Sequence, residues 1–152
     1  MAAATLPRDI PPMWLLGGIV AMVALHVAAP IAVWLPRPWN HLGWILLALA
    51  LAVMLSSLRR FRRAGTGVRP FSEVSRLVVE GAYRRTRNPM YLGLVGVTLG
   101  VAICLGTISP LVVPPLLFVV LDRRFVRREE EFLRRSVGTA YEDYCRRVRR
   151  WL

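Results

Sequence analysis

Three short stretches of this chain carry the residue types from which a binding or catalytic site could be built. The first runs from Gly81 to Gly93. In it Asn88 suits a helix N-cap and Pro89 a first helical residue. A helix starting there points free N–H groups and the positive end of its dipole outward. Arg84 and Arg87 add guanidinium donors suited to a carboxylate or phosphate, and Tyr91 stands one turn into the helix. One reading is a cradle for an anionic ligand group. The plainer one is a capped helix with headgroup-binding arginines and an interfacial tyrosine, since caps far outnumber sites.

The second stretch is Arg127 to Leu133. A helix turns about 100° per residue, which puts Val126, Glu130, Leu133 and Val137 on one face. Glu129 lies beside that face and Glu131 points away. Carboxylates on an apolar face at the end of a membrane span need partners and are site candidates. The alternative is local ion pairing, Glu130 with Arg127 or Arg134 and Glu131 with Arg135. For Glu131 the ion pair is the preferred reading; for Glu129 and Glu130 both readings stand.

The third stretch is the tail. Gly138 can end one helix, and Thr139 with Glu142 makes a capping-box pattern that starts another. Tyr141, Tyr144 and Val148 share a face of it. They suit either a tail docked on the membrane interface or aromatic cover for a flat heterocycle.

These stretches must be positioned by the rest of the chain, which is unlike a soluble protein. It is 55% hydrophobic yet has a formal net charge of +12. The two properties coexist because the charge is segregated: 10–36, 38–58 and 88–121 carry none. Uncharged runs of about 20 residues or more predict transmembrane helices. The first span is predicted over 13–35 with a bend at Pro30. The turn Pro36-Arg37-Pro38 ends it, and the second is predicted over 39–58, leaving 59–88 as a loop. Trp34, Trp39 and Trp44 cluster at the turn as an interfacial belt. As one helix, 90–121 would be roughly 48 Å long, against a hydrocarbon core of about 30 Å. The turn signal at Gly106 to Pro110 splits it into spans over 90–105 and 111–121, the latter continuing into a charged helix from Asp122.

The expected fold is therefore all-α and integral to the membrane, with about four transmembrane helices and a C-terminal amphipathic helical tail. Four spans put both termini on one side, together with the Arg-rich segments 59–89 and 122–152. The positive-inside rule makes that side cytoplasmic. The basic charge flanks spans, so membrane lipids rather than nucleic acid are its expected partner. The segment 74–83 is expected to lie on the membrane surface. Gly93, Gly96 and Gly100 suit close helix packing. Cys104 and Cys145 are not expected to pair, no metal-ligand spacing is present, and His26 is expected to be a packed or hydrogen-bonded span residue.

The order of these motifs resembles the isoprenylcysteine carboxyl methyltransferase and phospholipid methyltransferase superfamily. The resemblance covers about 78–152, within one domain over 1–152. Arg87, Asn88, Pro89, Tyr91, Leu92 and Gly93 match that superfamily's Arg-His-Pro-x-Tyr-x-Gly segment. Glu129 and Glu130 match its paired glutamates, and Tyr141, Tyr144 and Arg147 match its tail. Asn88 replaces the usual His, and an amide cannot act as a base. Val137 replaces the usual Phe. The resemblance implies S-adenosylmethionine as cofactor and a lipophilic acceptor entering from the lipid. It implies that Arg84 or Arg87 with the helix N-terminus holds the methionine carboxylate. Glu129 or Glu130 takes the amino group or the ribose, and the two tyrosines lie near the adenine. Glu130 and Arg87 are the catalytic candidates. A carboxylate acceptor would need no base; an amine or thiol would. Two other readings are an NADPH-dependent enzyme like the membrane sterol reductases and a non-enzymatic membrane scaffold.

Overall fold

The computed structural model describes residues 9–63 and 77–152. Among these the structure is helical. The order is α1 (Pro11–Ala28), α2 (Leu42–Arg63), α3 (Pro89–Leu105), α4 (Val113–Leu121), α5 (Arg127–Val137) and α6 (Thr139–Arg147). The stretches 11–28 and 39–63 are long and apolar enough to cross a membrane, whereas the equally apolar α3 is shorter.

The helices run up, down, up and down, as contacts at the two ends show. At one end, Asp9 before α1 pairs with Arg124 after α4, and Phe61 near the end of α2 meets Tyr83 ahead of α3, ring centroids 5.6 Å apart. At the other end, His26 Nδ1 lies 2.8 Å from Thr107 Oγ1, and Asn40 Nδ2 donates to the Cys104 carbonyl at 2.8 Å.

The first helix is shorter than expected, ending at Ala28 rather than bending at Pro30 and continuing to residue 35. Ala29 precedes Pro30, and a residue before proline is pushed out of the helical region. The freed backbone groups are satisfied internally: Ser109 Oγ donates to the Ala29 carbonyl and accepts from the Ile31 amide at 3.0 Å. The second helix is longer than expected. Arg59 to Arg63 complete its last turns instead of opening a loop, and Arg60, Arg62 and Arg63 lie where the helix dipole favours cations. Of the expected surface segment 74–83, residues 74–76 lie outside the described residues and 81–84 form a 3₁₀ turn.

Helices α2 and α3 make the closest packing. The Cβ positions of Gly93, Gly96 and Gly100 lie against Met54, Ala50 and Leu47 of α2, and that of Gly43 against Gly100 and Cys104. Small residues give this close approach where lipid offers no hydrophobic drive for association. Helix α3 ends at Gly106, whose φ of +70° a side chain would disfavour. From Ser109 the chain is helical to Val137, with a π-helical turn over Asp122–Val126 joining α4 to α5.

Candidate functional site

The site lies where the start of α3, the start of α5 and the tail converge. Tyr91, buried in the first turn of α3, packs in a cluster with Leu94, Leu117, Leu121, Phe125 and Val126. Its hydroxyl donates to Glu129 Oε2 at 2.7 Å. Next to Glu129, Glu130 is only 2% exposed. Its partners are neither of the local arginines considered above. Arg150 Nη2 approaches Glu130 Oε2 at 2.7 Å and Arg87 Nη2 approaches Oε1 at 3.4 Å. Glu131 pairs with Arg135 at 2.9 Å and Arg134 at 3.7 Å, as its outward position suggests.

The tail is held by its last residues. The Arg87 amide donates to the Arg149 carbonyl at 2.9 Å. Thr86 Oγ1 and Asn88 Nδ2 both donate to the Arg150 carbonyl, at 3.0 and 3.2 Å. Asn88 occupies the N-cap position of α3, but its side chain makes no cap bond; it reaches the tail instead. Trp151 packs on Phe118 with centroids 4.7 Å apart, and its Nε1 donates to Asp122 Oδ1 at 3.3 Å. Tyr141 and Tyr144 of α6 are buried with Val148. The Tyr144 hydroxyl donates to the Tyr83 carbonyl at 2.7 Å. The capping box expected at Thr139 does not form: Gly138 is the N-cap and Thr139 the first helical residue.

Burial sets the protonation of these groups. It raises the Glu129 carboxyl above the ordinary range, the Tyr91 hydrogen bond opposes the rise, and the Glu130 charge adds to it. Glu129 keeps some accessible surface, but its carboxylate is densely enclosed, and that enclosure is what titration senses. Burial raises the Tyr83, Tyr141 and Tyr144 phenols too, aided by the charge of Glu129 at Tyr83 and of Glu130 at Tyr141. All three stay neutral at physiological pH.

The residues singled out in the sequence thus divide. Arg87, Asn88, Tyr91, Glu129, Glu130, Tyr141 and Tyr144 come together, with Pro89 buried beside them. Arg84 and Arg147 are exposed, and the Arg147 Nε bonds the Asp143 carbonyl at 3.3 Å. Gly93 faces α2, where the missing side chain lets Met54 and Ala50 come close, and its neighbour Leu92 is half-buried. Sequence reasoning missed Arg150, Thr86 and Cys145, whose sulfur accepts from Arg87 Nη1. No group of three or more potential metal ligands occurs among the described residues.

Whether S-adenosylmethionine suits this cluster can be judged from its unsatisfied atoms. Glu130 Oε1 and Arg87 Nε are buried and without hydrogen-bond partners. A buried acceptor and a buried donor left open in one ion-paired site fit a ligand with both an ammonium and a carboxylate, as the methionine part of that cofactor has.

A family model described as phospholipid methyltransferase matches residues 39–140. The chain belongs to that family. No curated protein and no solved structure matches it. Membership and the two long apolar helices make it a membrane protein of the methyltransferase class.

Proposed function

We propose that this member of the phospholipid methyltransferase family transfers a methyl group from S-adenosylmethionine to a lipophilic acceptor at the cytoplasmic membrane face. The observation that carries the reading is Glu130: 2% exposed, paired to Arg87 and Arg150, and still presenting an unsatisfied oxygen.

When bound, the cofactor supplies an electrophilic methyl on a sulfonium, and in-line displacement depends chiefly on positioning. In the proposed site Glu130 takes the amino group, and Arg87 with the first turn of α3 takes the carboxylate. Glu129, oriented by Tyr91, adds negative charge that favours the sulfonium. Tyr141 and Tyr144 cover the adenine, and the closing tail excludes water. Arg150 orients Glu130 through two hydrogen bonds. Asn88 joins helix and tail and moves no proton. The acceptor is a lipid or another lipophile bearing a carboxylate, amine or thiol.

The topology goes with this reading. Residues 1–152 are taken as one domain crossing the bilayer four times, α3 and α4 being short spans with both termini cytoplasmic. The placement of both ends of the α1–α4 bundle and the Arg-rich flanks support it.

Calorimetry on detergent-purified protein tests the proposal, with NADPH as the control. Micromolar binding of S-adenosylmethionine that disappears in Glu130→Gln is expected. Folded protein that binds NADPH and not S-adenosylmethionine would overturn it.

A further inference from the structure

The open valences of the candidate site are shut away from solvent. Glu130 is 2% exposed, and its Oε1 and the Arg87 Nε are buried without hydrogen-bond partners. A ligand that is to meet them must pass whatever lies over them, so part of the cover has to move.

Three elements supply that cover, and they differ in how they are anchored. Helix α3 packs along α2 through its glycines, and α5 continues the helix that begins at Ser109. Both are rooted in the bundle. The strap 148–152 is held more lightly. It leaves α6 at Val148, where the backbone turns extended (φ −127°, ψ 131°). Arg149 and Leu152 are exposed, and Arg150 and Trp151 are only half-buried. Hydrogen bonds from Thr86, Arg87 and Asn88 and the Arg150–Glu130 pair hold its middle. Segments that bury little apolar surface open at the lowest cost.

The aromatic fastening of the strap lies elsewhere. Trp151 seats on Phe118 of α4, and its Nε1 donates to Asp122 Oδ1. Asp122 begins the π-helical turn and is 8% exposed, and its Oδ2 is held by Arg127 Nε at 2.7 Å. Such turns within α-helices are rare and cluster at functional sites. This one sets a buried, oriented carboxylate where the tryptophan of the strap lands. Neither Asp122 nor Trp151 is among the residues assigned to the cofactor.

We propose that 148–152 is the gate through which S-adenosylmethionine enters and the spent cofactor leaves, and that Asp122 and Trp151 are positioning residues that latch it shut. The identity of the ligand rests on the methyl-transfer reading; the latch does not. Opening carries Arg150 off Glu130 and frees the carboxylate for an incoming ammonium. Closing returns Arg150 to Oε2 and leaves Oε1 to the ligand.

Two measurements on full-length protein in detergent test it. Hydrogen exchange without ligand reads the latch. The Arg87 amide donates to the strap, and Trp151→Ala and Asp122→Ala are expected to speed its exchange about tenfold, as loss of a hydrogen bond with a ring contact would. Amides in the middle of α3 should keep their rates. Asp122→Asn, which keeps the acceptor oxygen, is expected to restore slow exchange. Stopped-flow binding of S-adenosylmethionine reads the gate. In both alanine variants association and dissociation are expected to quicken together with the equilibrium constant nearly unchanged, because a looser gate opens more often with and without ligand. Thr86 and Arg149 are neighbours across a β-bridge, so Thr86→Cys with Arg149→Cys can fasten the strap by a disulfide. The oxidised form is expected to bind far more slowly than the same protein reduced. Unmoved exchange at Arg87 would overturn the latch. Equal binding rates for oxidised and reduced protein would overturn the gate. Weaker affinity with unchanged association in the alanine variants would make both residues merely structural. No binding by the wild type would instead remove the cofactor reading and the gate with it, while the exchange result would still decide the latch.

Discussion

The Tyr91 hydroxyl donates a 2.7 Å hydrogen bond to Glu129 Oε2, which ties the opening turn of α3 to the first carboxylate of α5. The bond crosses from an apolar helix to a charged one, at a point where burial works against the ionised carboxylate. Ionising Glu129 there carries a cost, because the position does not favour charge.

That cost has a sign that can be measured. Burial raises the folded-state pKa of Glu129 above its ordinary value. A carboxyl raised in this way adds stability below its unfolded pKa and loses it as pH rises through the folded pKa. Glu129→Gln is therefore expected to raise the melting temperature at pH 7, and the gain should shrink as pH falls toward the ordinary carboxylate range. Melting curves across that range check it; a lower melting temperature at pH 7 would contradict it.

Tyr91→Phe removes the hydrogen bond that opposes the burial effect, so Glu129 should bind its proton more tightly still. If cofactor binding needs the ionised form, the acid-side loss of S-adenosylmethionine affinity should begin at higher pH in this variant. Calorimetry at a series of pH values reads the shift. An unmoved acid limb would mean that Glu129 is not the titrating group.

Arg150 and Arg147 give opposite expectations although they are neighbours in sequence. Arg150 holds Glu130 by two donors at 2.7 and 3.1 Å. Breaking a buried ion pair from one side costs about 3 kcal/mol, so Arg150→Ala should lower stability by that order and abolish cofactor binding. Arg147 is exposed, and Arg147→Ala should change stability by less than about 0.5 kcal/mol. Urea titrations of both variants decide between them; equal effects would remove Arg150 from the site.

Arg150 also shows where reading from sequence stops. The face shared by Val126, Glu130, Leu133 and Val137, the helix start at Pro89 and the break at Gly106 follow from periodicity and turn chemistry, and the structure has them. The partner of Glu130 does not follow. Local spacing offered Arg127 and Arg134, but the tail folds back so that Arg149 lies beside Thr86, and that pairing depends on tertiary packing. Arg84 is a candidate for its charge beside the helix start and Arg147 for its match to the superfamily's tail, and neither ground says which way a short turn or helix presents the side chain; both are exposed. Asn88 has the chemistry of a cap, but its side chain turns to donate from Nδ2 to the Arg150 carbonyl, and its oxygen makes no cap bond. The end of α1 departs from the expected span for a local reason, the effect of Pro30 on Ala29.

The glycines separate packing from conformational demand, and three substitutions should rank accordingly. At Gly43 an added Cβ would stand 2.5 Å from the Gly100 carbonyl oxygen and 2.8 Å from the Cys104 amide nitrogen. Backbone atoms cannot move aside without parting α2 from α3, so Gly43→Ala should be severe, about 3 kcal/mol as overpacking goes. At Gly93 the closest obstacle is the Met54 side chain, which is flexible, although the Ala50 carbonyl stands at 3.2 Å. Gly93→Ala should therefore cost less than Gly43→Ala. At Gly17 nothing lies within 4 Å, and alanine is the better helix former by about 1 kcal/mol, so Gly17→Ala should be neutral or stabilising. Thermal unfolding of the three variants in one detergent gives the order. If Gly93→Ala proved the most damaging, Gly93 would have a role beyond contact with α2, and the cofactor contact that the resemblance implies for it would be the one to test.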